Sequence, residues 1–455
     1  MFITLIALTS LPAAWATAPL STSRAEDLEH ERLIQVIRAA GREATAREGV
    51  PGVAIVVRKA GKSLANEAFG STGSGPVDTE TRFEIGSLAR QFTAAAVLQL
   101  AATGKLGLDD PLVKHLPAFP TAQGSPSIRE LLASRSGVPG WPALLAKHPE
   151  AASREFDEAG FLALFADVPF AFAPGAGHSL DTLGYPLLAL TVEKVAGTAY
   201  PEWISTMVIE PAGLESTGLC PPTERPAGYA ADCREISGQR DVEVSLPGAP
   251  RSATRRFCAT AADVARWQEA LFGGLLLDEA SQKLLLAPSG SGKGPDEHGA
   301  AVHTVKLDGL VRHAHSGGTS GFRVVAAWYP SAELSIAVLA NCATAEVDRI
   351  EEEVARVALG LPPSRGEFPL SPAEVERLPG TYQLATTRLR VFTQDGHLWF
   401  EEPGRSAIHL RSRGRGEFAL EGERDTRLVF DLEGERAAWF TLIRSGAMSR
   451  AIRVD

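Results

Sequence analysis

The alternation of apolar and polar positions divides the chain into stretches of different character. Residues 26–48 carry Leu33, Ile34, Val36 and Ile37 among charged neighbours, the period of an amphipathic helix. Gly52-Val53-Ala54-Ile55-Val56-Val57 is an apolar run of strand length, and Lys59-Ala60-Gly61-Lys62 supplies a hairpin-like turn after it. Residues 88–103 predict a largely apolar helix that stops at Gly104, and residues 185–196 predict another before Gly197. Thr260 is a suitable N-cap for a helix over Ala261–Phe272. Residues 322–328 and 334–339 then read as two strands around Pro330-Ser331. Strands at both ends with helices between them predict one α+β domain whose sheet joins sequence-distant segments.

The pattern changes near residue 361. Leu361-Pro362-Pro363-Ser364-Arg365-Gly366 opens a linker over 361–370, after which short alternating segments fill 371–455. Leu389, Val391 and Thr393 precede an Asp395-Gly396 turn, with Leu398 and Phe400 after it. Leu428 and Phe430 precede a second turn at Glu433-Gly434, with Trp439, Thr441 and Ile443 on its far side. This is the pattern of a small antiparallel β domain, barrel-like in form. At the other end, Phe2 to Ala14 is almost wholly apolar and leads into Ala14-Trp15-Ala16 and Ala16-Thr17-Ala18. That reads as a signal peptide over 1–18, although no Lys or Arg precedes the apolar run. The expectation is a periplasmic or secreted protein. No later stretch approaches the ~20 apolar residues of a membrane span, and no cysteine near the cleavage point could carry a lipid.

Composition narrows the picture further. A chain of 455 residues, 44% hydrophobic and 22% charged, suits a large domain plus a smaller one. Its net charge of −10 disfavours nucleic acid as the main partner. Of the four cysteines, Cys220 and Cys233 lie close together in a Pro/Gly-containing loop and could pair, whereas Cys258 and Cys342 sit in apolar surroundings that suit buried thiols. The ten histidines show no zinc-like spacing, so neither metal nor cofactor is expected.

The candidate chemistry centres on Phe83-Glu84-Ile85-Gly86-Ser87-Leu88-Ala89-Arg90-Gln91-Phe92-Thr93. A serine opening a buried helix faces unpaired backbone N–H groups and the positive end of the helix dipole, which favour an alkoxide or oxyanion. A residue three positions on lies on the same helix face. Ser87 alone could equally be a plain N-cap. Its context decides the matter. Thr81 to Leu112, including Gly104-Lys105-Leu106 and Leu108-Asp109-Asp110-Pro111, is followed by Ile128-Arg129-Glu130-Leu131-Leu132 and Ser136-Gly137-Val138-Pro139-Gly140. Pro174-Gly175, Gly184-Tyr185, Glu193 to Gly197, Thr260 to Trp267 and His315 to Phe322 come next. In this order they resemble the serine β-lactamase and penicillin-binding-protein superfamily, on the class C-related side, over roughly residues 30–360.

The resemblance implies a β-lactamase/transpeptidase-like α/β sandwich with a helical subdomain. It also implies three motifs: S-x-x-K for the nucleophile and its base, Y-x-N or S-x-N for the leaving-group proton, and K-T-G or H-x-G beside the oxyanion site. Carried over position by position, Ser87 matches the nucleophile and His315-Ser316-Gly317 matches H-x-G, with the Gly318 N–H as oxyanion donor beside that of Ser87. Arg90 stands where the family has Lys. Ungapped counting puts Leu180 in the Tyr position and Thr182 in the Asn position, with Asp181 between. Tyr185 belongs to the flanking Gly-Tyr pair, and Arg255-Arg256 precede Thr260 where the family often has Gly-Gly. Ser87, Arg90, His315 and Gly318 are therefore the expected catalytic set, and Asp181, Thr182, Ser316 and Gly317 the expected substrate contacts.

Arginine has no acceptor atom and keeps its proton at any ordinary pH, so Arg90 can stabilise an anion but not remove a proton. Leu180 neither donates nor accepts. General acid–base help is typically worth 10²–10⁴-fold, so the expected site is degenerate. Asp181, His178, His313 and His315 are the candidate substitutes for the base. Three readings remain open: a pseudoenzyme binding peptide-like or carboxylate ligands, a slow serine hydrolase acting through acyl-Ser87, and an interaction protein working through its β domain.

Overall fold

The structure, a computed structural model, describes residues 22–46, 49–154, 156–179, 183–220, 233, 256–288, 297–319, 321–362, 372–385, 387–394, 396–414, 416–421, 423–431, 436–444 and 447–455. The apolar leader 1–18, Leu180 to Thr182, Arg255, most of the 361–370 linker and the Glu433-Gly434 turn lie outside the described residues.

After an N-terminal helix, Thr22–Ala46, the chain forms a hairpin of β1 (Gly52–Lys59) and β2 (Lys62–Gly70). β3 (Phe83–Glu84), β4 (Gly218–Leu219) and β5 (Phe257–Ala259) make a small ribbon in the order β3-β5-β4, with much of the helical region between β3 and β4. β6 (Glu297–His298), β7 (His303–Leu307), β8 (Leu310–Thr319), β9 (Phe322–Tyr329) and β10 (Leu334–Ala340) complete a seven-stranded sheet ordered β2-β1-β10-β9-β8-β7-β6. β1 pairs with β10 from Val53↔Ala340 to Lys59↔Leu334, so the sheet does join the two ends of the domain.

Both faces of this sheet are covered, and the period-2 alternation sorts the residues between them. Ala54, Val56, Val324, Ala326, Ala337 and Leu339 pack with the helices Arg90–Ala102, Gly184–Ala196 and Ala261–Phe272. Val53, Ile55, Val57, Val325, Ile336 and Val338 pack against Leu33 and Ile37 of the N-terminal helix and Ile350 and Val354 of the helix Val347–Ala358. Thr260 caps the helix over Ala261–Phe272 by accepting from the Asp263 N–H at 3.2 Å, as its sequence predicts.

The C-terminal part closes into an eight-stranded antiparallel barrel of β11 (Gly380–Leu384), β12 (Thr387–Gln394), β13 (His397–Glu401), β14 (Ile408–Gly414), β15 (Glu417–Leu420), β16 (Glu423–Phe430), β17 (Trp439–Arg444) and β18 (Ala447–Arg453). Its interior holds Leu389, Val391, Leu398, Phe400, Leu428 and Phe430, as the alternation predicts. On β17 the interior takes Phe440 and Leu442, so Trp439 and Thr441 point out of the barrel.

The cysteine expectation is overturned. Cys220 bonds to Cys258, and Cys233 bonds to Cys342. Sheet pairing explains the first bridge: Gly218 lies opposite Cys258, which brings Cys220 within a Cα separation of 4.8 Å. Nearness in sequence was a poor guide because Cys258 lies on β5 and Cys342 just past the end of β10, 38 and 109 residues from their partners.

One buried ion pair ties the sheet to its covering helix. Arg312 of β8 donates to Glu351, which is fully buried and also accepts from the Tyr329 hydroxyl at 2.8 Å. Arg312→Ala strands that carboxylate and should lower stability by about 3–5 kcal/mol, read as a shift in urea midpoint. Lys114→Ala, at an exposed pair with Asp110, should cost no more than about 1 kcal/mol.

Candidate active site

The turn carrying Ser87 is fixed by backbone contacts. The Ile85 N–H donates to the Phe257 carbonyl at 3.1 Å, which ties the end of β3 to β5. Residues Gly86–Ala89 then form a single 3₁₀ turn that leads into the helix Arg90–Ala102. Gly86 has φ +50°, a left-handed conformation, and a β-carbon there would stand 2.8 Å from the Gly318 oxygen. A β-carbon on Gly317 would run into the Ile85 carbonyl. Two glycines facing each other therefore allow the Ser87 turn and β8 to touch through their backbones. Glu84, buried just before the turn, pairs with Arg256 at 2.9 Å, so Arg256 has a structural partner beside the site.

β8 sends its residues to alternate faces. His315 and Gly317 face the Ser87 turn, and Thr319 follows on the same parity. Ser316 is directed to the opposite face, where its hydroxyl donates to Asp348 at 2.8 Å. Of the sequence-derived set, the structure thus gathers Ser87, Arg90, His315, Gly317 and Gly318, and carries the Ser316 hydroxyl behind the sheet. Asp181 and Thr182 lie outside the described residues.

Around them the charges are unequal. Burial pushes His315 down to about 3, and the nearby Arg90 charge adds to this, against the Ser87 backbone, which favours the proton. His315 is consequently a neutral imidazole at pH 7, with Nε2 buried and unpartnered among the described residues. The Arg90 guanidinium stands 5.4 Å from the Tyr185 ring centroid. Tyr185 is itself committed, because its hydroxyl donates to the Leu132 carbonyl at 3.0 Å and burial raises its pKa. His313 is fastened by a 2.9 Å bond between Nδ1 and the Thr304 hydroxyl and by stacking on Phe272.

The segment leading to Leu180 is strapped across the 133–140 loop. Ala171 donates to Gly137, Gly175 to Arg135, Ser179 to Ser134 and Leu183 to Pro139. These four backbone bonds bracket the Leu180–Thr182 positions from both sides. His178, in the same segment, has its pKa lowered by desolvation and then by the charges of Arg135 and Arg450.

Sequence reasoning missed Thr319 and Asp348. Thr319 shares the parity of His315 and Gly317, and its hydroxyl oxygen is buried with no hydrogen-bond partner among the described residues. The alternation of the H-x-G strand could have located it. Asp348 starts a helix 32 residues from Ser316, and no local pattern links them. Burial opposes its charge, but Arg427, Arg323, Arg312 and the Ser316 hydroxyl outweigh this and hold its carboxyl below the ordinary value.

The Beta-lactamase family profile matches residues 34–360. The chain belongs to the Beta-lactamase family. Among curated relatives, Penicillin-binding protein 4* of Bacillus subtilis is 25% identical over 435 residues, covering 88% of this chain and 94% of that protein. An esterase of Burkholderia gladioli is 30% identical over 268 residues, covering 54% of this chain and 63% of the esterase. The solved octameric penicillin-binding protein homologue from Pyrococcus abyssi shares the fold, with a TM-score of 0.63 at 20% identity, over 92% of this chain and 99% of that one. Ser87 and Gly318, expected from the sequence as nucleophile and oxyanion donor, are brought together by the Ser87 turn and β8. Arg90 has no acceptor atom, and a His315 held near 3 binds a proton poorly at neutral pH.

Two predictions follow from this geometry. Gly86→Ala should lower stability by about 1–3 kcal/mol through left-handed strain and contact with Gly318, measured by urea unfolding. Acidification gives the second. His303 and His315 sit near 3 and His313 near 4, in each case through burial first. Unfolded histidines take protons from about pH 6.5, so between about pH 6.5 and pH 3 the unfolded chain binds more protons than the folded one. Stability should therefore fall as pH drops through that window, by up to about 1.4 kcal/mol per pH unit per histidine. His315→Gln should flatten the slope by one histidine's share.

Proposed function

We propose that this chain is a binding member of its family, one that holds peptide-like ligands through a carboxylate and does not turn them over. The observation that carries the reading is the pairing of Arg90 with a neutral His315 beside Ser87: one cannot accept the serine proton, and the other is held against accepting it. What the site retains is anion recognition, made of a guanidinium, a helix start and the backbone amide of Gly318. The edge of β8 supports a peptide-like ligand. β7 pairs with β8 only as far as Ala314, whereas β9 follows it to Thr319. Residues 315–319 thus have no strand partner on the β7 side among the described residues, and an extended chain could pair there. The orphaned His315 Nε2 and Thr319 Oγ1 lie along the same stretch. The reading includes export to an oxidising compartment, which the apolar leader and two disulfides support.

A second reading, slow hydrolysis through acyl-Ser87, is favoured by the retained serine and Gly318 amide. A relative from Brucella anthropi named D-aminopeptidase, 29% identical over 48% of this chain and 42% of its own length, points the same way. Intact mass after exposure to a fluorophosphonate or a reactive penicillin separates the two. The expected result is no adduct, together with thermal stabilisation by an N-acetylated dipeptide acid but not by its C-terminal amide. Arg90→Gln should weaken the acid by about 10–100-fold, the worth of a charge-assisted hydrogen bond of about 1.5–3 kcal/mol. A stoichiometric adduct that disappears in Ser87→Ala would overturn the binding reading.

A further inference from the structure

The helix Val347–Ala358 carries two carboxylates one turn apart, and each bridges the same two strands. Glu351 accepts from Arg312 of β8 and, at 2.8 Å, from the Tyr329 hydroxyl of β9. Asp348 repeats the arrangement further along the strands. Its Oδ1 accepts from the Ser316 hydroxyl of β8 at 2.8 Å, and its Oδ2 faces Arg323 of β9 at 3.7 Å. Strand parity is the origin of the repeat: Arg312 and Ser316 share one face of β8, and Tyr329 and Arg323 share the matching face of β9.

The two bridges support different stretches of β8. β9 accompanies β8 as far as Thr319, whereas β7 stops at Ala314. Glu351, fully buried, acts where β8 has a strand on either side. Asp348 acts on the one-sided stretch, at Ser316, immediately before Gly317 and Gly318. Arg323 lies opposite Gly318 in the register, and a β-carbon on Gly318 would come 3.4 Å from the Arg323 Nη1. Arg323 is only 5% exposed, and its Nε has no acceptor among the described residues. A guanidinium so placed needs its counter-charge to stay where it is, and Asp348 supplies that charge.

We propose that Asp348 is a positioning residue, which by joining Ser316 to Arg323 holds the Gly317–Gly318 segment against the Ser87 turn where β7 no longer supports it. Glu351, its counterpart one turn on, anchors the sheet as a whole. The use made of the held segment, anion recognition by the Gly318 amide, rests on the binding reading above. Without the Asp348 carboxylate, the Ser316 hydroxyl loses its acceptor and Arg323 becomes a buried lone cation beside Gly318. Arg323 is then relieved by turning to water, which frees the end of β8.

Peptide-resolved hydrogen exchange and isothermal titration of the full chain test this. Asp348→Ala should speed exchange in residues 315–319 by about tenfold, the scale of losing one hydrogen bond to a charged group, and leave β1 and β10 unchanged. Arg312→Ala, which removes the other bridge, should speed exchange in β10 as well. Titration uses N-acetyl-alanyl-alanine in its L,L and D,D forms. Asp348→Ala should weaken the form that binds by about tenfold. Ser316→Ala should weaken it less, and should add nothing in the Asp348→Ala background. Asp348→Asn keeps an acceptor for Ser316 and loses the charge facing Arg323, so its effect should be intermediate. Circular dichroism and the urea midpoint check that each variant is folded. Unchanged exchange at 315–319 in Asp348→Ala, or a rise shared equally by β1 and β10, overturns the proposal. So does unchanged affinity in that variant. If the local exchange result holds and neither form binds the unmodified protein, the binding reading falls and the bracing of β8 by Asp348 stands.

Discussion

The site depends on one contact, the approach of two backbones at Gly86 and Gly317. A 3₁₀ turn and a β-strand come together here with no side chain between them, and a single β-carbon on either glycine would force them apart. Everything near the contact braces it. Cys258 pairs with Glu84 immediately before the turn and is bonded to Cys220. Behind the strand, Ser316 is held by Asp348, which Arg323 approaches at 3.7 Å. The geometry around Ser87 is therefore made largely of main chain, and it is inseparable from the stability of the sheet.

The proton-handling part that the sequence leads one to expect is made of side chains, and Arg90 is where that expectation departs from the family motif. Lysine to arginine at position 90 keeps the positive charge and the long apolar stem, and the planar guanidinium gains the Tyr185 face. Folding loses nothing by the exchange. On the binding reading, what the exchange gives up is a removable proton. The same logic explains the neutral histidines: burying an imidazole is tolerable only in the uncharged form, and each additional arginine nearby makes the charged form costlier. On the binding reading, such surroundings suit an anionic guest better than a reaction that must create a second cation.

Much of the fold could be read from local pattern, because the deciding interactions are local. The hairpin at Ala60-Gly61, the Thr260 cap and the strands around Pro330 each follow from neighbouring residues. The disulfides did not, since Cys220 meets Cys258 through a ribbon whose strands are two or three residues long. The site divided in the same way. Ser87, Arg90 and the H-x-G strand stand in recognisable motifs, whereas Ser316 belongs to the wrong face for a ligand contact and Thr319 to the right one. Only strand parity, counted from a residue whose facing is known, separates them.

The barrel shows the limit of that reading most clearly. In sequence, Trp439, Thr441 and Ile443 form the patterned set of β17, whereas Phe440 and Leu442 fill the interior and Trp439 and Thr441 point out of the barrel. Their burial means that β17 is covered on both faces, a condition that period-2 patterning normally reports as a continuous apolar run. Here the outer face carries a tryptophan, a threonine and, across the strand pair, an arginine.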